Sequence, residues 1–134
     1  MLVLQQGVEC MLHEDLTNKI ICAFYTVYNT LGHGFLERVY QNALVIELKK
    51  LGFSVTQQEP VKVFYAGEQV GDYFADIIVN GLVILELKTA ETLKAEHFAQ
   101  LTNYLKATDK EVGLLLNFGS KPEFRRIILT NDKK

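Results

Sequence analysis

Only two cysteines, Cys10 and Cys22, occur in the chain, and no Cys-x-x-Cys is present. Their scarcity argues against a disulfide scaffold and suits a reducing cytoplasm, where the protein is expected to reside. A zinc site on Cys10, His13 and Cys22 lacks both a fourth ligand and tight spacing. Cys22 lies in an apolar helical run and is expected in the core. No apolar run reaches the roughly 18 residues that would suggest a membrane span. Residues 1–10 lack the basic start and small-residue cleavage site of a signal peptide. Net charge is equally sparse, at −2, so a polyanionic partner must be met by a local basic patch rather than by the overall field.

Linkers, repeats and low-complexity segments are absent, and the 134 residues fit one domain. With 49% hydrophobic and 22% charged residues, neither a disordered chain nor a coiled coil is expected. Residues 1–12 show no period and read as an N-terminal arm, leaving 13–134 as the domain. The three-four spacing of Leu16, Ile20, Ala23, Phe24, Val27 and Leu31 predicts a helix over 13–31, stopped at Gly32. A second helix is predicted over 36–50, burying Leu36, Val39, Tyr40, Ala43, Leu44 and Leu48. Strand chemistry follows at 53–57, 61–65, 69–79 and 82–88, the first pair separated around Pro60. A helix over 93–107 and strands at 112–117 and 124–130 complete an α+β order: two helices, an antiparallel meander, a helix and further strands.

The stretch Tyr73–Ala90 carries the chemistry. Asp76, Glu86 and Lys88 interrupt two apolar runs joined by Asn80-Gly81, a strong hairpin signal. Glu86 and Lys88, two apart on a strand, leave the same face. Buried charges of this kind are costly unless paired, hydrogen-bonded or bound to a metal. Two carboxylates suit magnesium, which favours hard oxygen ligands and completes its shell with water and phosphate. A strict two-residue loop would pair Asp76 with Leu85 and turn Glu86 away. A shared metal therefore requires a three-residue loop with Gly81 left-handed, or a bulge between Asp76 and Val79.

The pattern Asp76-x9-Glu86-Leu87-Lys88 resembles that of the PD-(D/E)xK nuclease superfamily. Gln100 and Tyr104 resemble the QxxxY of its RecB-like members, and Gly34, Glu37 and Tyr40 resemble the motif of the GxxExxY family. Asn117-Phe118-Gly119 is similar to that family's strand end. The resemblance implies a restriction-endonuclease-like fold with a mixed central sheet flanked by helices. It also implies a nuclease using Mg2+ or Mn2+ on nucleic acid, with DNA expected. Asp76 and Glu86 become metal carboxylates, the Leu87 backbone carbonyl a further ligand, and Lys88 the catalytic lysine. Glu37 is implied to hold a second metal or one of the metal's waters, while Gln100 and Tyr104 close the site. Ala75 stands where the superfamily often has proline. A homodimer or a partner protein could enlarge so small a contact surface. The competing expectation is a catalytically inactive nucleic-acid-binding or protein-interaction module of the same fold.

Overall fold

The structure, a computed structural model, describes residues 12–134; the proposed arm, apart from Leu12, and Cys10 lie outside them. Helix α1 (Glu14–Leu31) buries Ile20, Ala23, Phe24 and Val27 in one stripe. Cys22 is exposed, contrary to expectation. Two positions from both Ile20 and Phe24, it falls on the opposite side of the helix. Helix α2 (Glu37–Lys50) buries Tyr40, Gln41, Leu44, Val45 and Leu48. Leu36 precedes this helix as its N-cap and is 80% exposed, and Val39 is also exposed. The stripe is therefore rotated from the expected one toward Gln41, whose amide is hydrogen-bonded inside.

Strands β1 (Val55–Tyr65), β2 (Glu68–Val79), β3 (Val83–Lys88), β4 (Val112–Phe118) and β5 (Pro122–Ile128) form one sheet in sequence order. Helix α3 (Ala95–Lys106) links β3 to β4, the parallel pair; all other neighbours are antiparallel. The expected break at Pro60 does not occur. Pro60 pairs within β1 opposite Phe74, and β1 is an edge strand, where a missing N–H is tolerated. Strand β5 ends at Ile128, two residues short of the expected end, and a 3-10 turn follows at Asn131–Lys133.

Two buried layers separate the elements. Ile77, Val79, Val83, Leu85 and Leu87 pack with α1 and α2 residues, joined by Leu114, Leu116 and Phe118. Ile78, Ile84 and Leu115 pack on the other side with Leu101, Tyr104 and Leu105 of α3. Val79 pairs with Val83, leaving Asn80-Gly81-Leu82 as a three-residue loop. Asn80 and Gly81 both have positive φ, 54° and 65°. The loop is thus of the first kind that a shared site requires.

Candidate active site at the fork of two strands

That loop sets the phase of everything beyond it. Ile84 lies on the α3 side, so Glu86 and Lys88 continue the same face. The β2–β3 pairing stops at Ile77 and Leu85. Beyond it, side chains cross the gap: the Asp76 N–H donates to Glu86 Oε2 at 3.0 Å, and the Leu87 N–H donates to Asp76 Oδ2 at 2.9 Å. Extended geometry points a residue's N–H and C=O to the same side, so the Leu87 carbonyl also faces the fork. Ala75 and Ile78, three apart, belong to one buried cluster, so side-chain alternation slips by one between them.

The electrostatics of this cluster are unfavourable for ionised carboxylates. Glu86 is 3% exposed, and burial followed by the Asp76 charge pushes its pKa up to about 8. Asp76 is raised by burial, against opposition from the Leu87 N–H, Lys88 and a hydrogen bond with Gln58. Glu37 is raised by burial and then by Asp76, and lowered by Lys88. Lys88 does not turn to Glu86 for its contact: its Nζ donates to Gln100 Oε1 at 2.8 Å. Gln100 Nε2 donates onward to the Tyr104 hydroxyl at 3.1 Å. Tyr104 is raised by burial, with Glu86 and Asp76 adding to the shift.

All six candidate side chains are therefore brought into one neighbourhood. Glu37 arrives by way of its motif. Gly34 takes φ +112°, a conformation suited to glycine. Tyr40 is fully buried and stacked on Phe118 at 4.4 Å, donating to the Gly32 carbonyl at 2.6 Å and accepting from the Phe35 N–H at 3.2 Å. These bonds fix the turn that places Glu37 at the start of α2. Tyr40 thus serves the loop. His97 likewise accepts from the Lys94 N–H at 3.0 Å and caps α3. Among the surface basic residues, Lys50 pairs with Glu47 and Arg125 with Glu123, while Arg126 donates to Asn18.

Two glutamines emerge that the sequence pattern does not single out. Gln41 Nε2 donates to the Asp76 carbonyl at 3.2 Å and to Gln57 Oε1 at 3.3 Å. Gln58 has φ 53° within β1, beside the skipped rung opposite Asp76. Asn117 acts structurally, its side chain donating to the Ala90 carbonyl and accepting from the Ala90 N–H, both at 2.9 Å. A Cβ on Gly119 would run into that same Ala90 carbonyl oxygen.

The donor set fits a hard divalent cation. Two crowded, desolvated carboxylates and a carbonyl converge on the fork, and positive charge would offset the burial that raises Glu86. Among the described residues no three His, Cys, Asp or Glu side chains gather as a self-sufficient metal cluster. A cation would thus draw its other ligands from the backbone, water and substrate, as magnesium does.

A mixed sheet between two helices and a third, with paired carboxylates and a lysine where the middle strands part, defines a restriction-endonuclease-like α+β protein. A family model of the PD-(D/E)XK nuclease superfamily matches residues 14–127, and the chain belongs to that superfamily. The fold is similar to that in the crystal structure of SSO0001, with a TM-score of 0.56 and 19% identity. The match covers 90% of this chain and 61% of that one. No curated protein matches the sequence.

Proposed function

We propose that the chain is a nuclease dependent on Mg2+ or Mn2+ that hydrolyses DNA phosphodiester bonds at the fork. The observation that carries this reading is that the Asp76 and Glu86 carboxylates each accept a hydrogen bond from the backbone of the opposite strand at the fork. The pKa of Glu86 is pushed up to about 8 there by burial and then by Asp76. Asp76, Glu86 and the Leu87 carbonyl would hold the cation, and Glu37 would support it by holding a second metal or a water. When bound, the cation supplies Lewis-acid activation of water and phosphate and a template for both. Lys88, steadied by Gln100, orients the attacking water and offsets charge developing on the phosphate. Tyr104 accepts from Gln100, which leaves its own proton available for a phosphate oxygen.

A homodimer or partner protein extends the surface that grips nucleic acid. The weak net charge of −2 favours the second reading, a noncatalytic nucleic-acid-binding or interaction module. Calorimetry with magnesium or manganese separates the two. Binding is expected in the wild type and lost in Asp76→Ala; equal binding by both proteins would remove the basis of the enzyme reading. In cleavage assays on linear, nicked, branched and single-stranded DNA, Lys88→Ala is expected to lose about a hundredfold or more in rate.

A further inference from the structure

Gln100 and Tyr104 face two ways. They belong to the carboxylate site and also line a cleft of about 760 Å³ between α3 and the β1–β2 hairpin. Tyr73 lines it too, its ring centroid 5.9 Å from that of Tyr104. A Cβ on Gly71 would stand 3.1 Å from the Tyr73 ring and 3.3 Å from the Val63 side chain. Glycine therefore leaves room for the ring to lean back against the strands, while Tyr73 as a whole remains 51% exposed. Lys62 and Lys106 line the same cleft together with the acid Glu96, and Asp72 pairs across the strands from Lys62. In a chain of net charge −2, two basic side chains thus stand beside an exposed aromatic residue.

We infer that the cleft takes an unpaired nucleotide of a nucleic-acid strand, with its base stacked on Tyr73 and its flanking phosphates met by Lys62 and Lys106. Bases inside a duplex already have both faces covered by their neighbours, whereas a single strand can offer a free face to an aromatic ring. The substrate class at the fork is then a single strand or an unpaired end. This rests on the nuclease reading and narrows it.

The test uses fluorescence anisotropy with a short fluorescein-labelled oligothymidylate and a blunt duplex of equal length. It is run on Asp76→Asn protein in EDTA, so that binding is measured without cleavage. The single strand is expected to bind at least about tenfold more tightly than the duplex, and Tyr73→Ala to lose about tenfold for the single strand alone. Tyr73→Phe should retain the preference, and Lys106→Glu should weaken single-strand binding in protein whose melting is unchanged. Unaltered single-strand affinity in Tyr73→Ala, or equal losses on both probes, would overturn the inference. Cleavage by the wild type with magnesium is scored separately. Cleavage of duplex with no effect of Tyr73→Ala on either cleavage or single-strand binding discards the cleft and keeps the nuclease. Tyr73-dependent single-strand binding without cleavage of any substrate keeps the cleft and discards the nuclease.

Discussion

Gln58 is held in a left-handed conformation that typically costs a non-glycine residue about 1 kcal/mol. Its side chain meets Asp76 and helps restrain the rise in that carboxyl's pKa. Replacing it with glycine relieves the backbone while removing the amide, so the two effects separate. Gln58→Gly is expected to melt at or above the wild-type temperature yet bind manganese several-fold more weakly by calorimetry. Unchanged manganese affinity would reduce Gln58 to a backbone feature. Asp76, Glu86 and Lys88 were legible because charge stands out inside an apolar strand, and Glu37, Gln100 and Tyr104 because their spacing matches known motifs. Gln41 and Gln58 carry no such contrast. Their importance comes from a fold that brings them to Asp76 from distant parts of the chain.

The turn and the end of β3 are the elements that hold the fork in phase. Asn80 keeps the loop tied to β1: its side chain accepts from the Ser54 N–H and its own N–H donates to the Ser54 carbonyl, both at 2.8 Å. Gly81→Ala places a side chain at φ 65° and is expected to lower stability by about 1 kcal/mol in urea titration. Asn117 is fully buried and clamps Ala90, two residues past Lys88. Asn117→Ala strands both Ala90 groups, with an expected cost of about 1–3 kcal/mol and faster hydrogen exchange at the Ala90 amide. The hairpin, and its need for either an extra loop residue or a bulge, were legible in the sequence; which of the two occurs was not. The division of β1 into two pieces was a misreading, because a proline's cost depends on whether its strand is at an edge, and strand order is a tertiary property.

Across the whole molecule, the raised carboxylates couple stability to pH. Glu86 has a folded pKa of about 8 against an ordinary value of 4.5. The folded chain holds this proton where the unfolded chain has lost it. Its contribution is greatest below about pH 4.5 and is lost as pH rises toward 8. Metal-free protein is therefore expected to lose up to a few kcal/mol over that window, Asp76 and Glu37 adding in the same direction. Thermal melts should show a smaller fall in Glu86→Gln, and manganese should raise the wild-type melting temperature most near pH 8. A pH dependence identical in Glu86→Gln and wild type would contradict this assignment.

Where the ladder ends, each carboxylate is tethered to the backbone of the opposite strand rather than left to swing. On the proposed reading an arriving ion would meet oxygen atoms whose rotameric freedom was surrendered during folding. Loading should consequently be fast, with little change in heat capacity, and amide signals away from the fork should keep their positions throughout a cation titration.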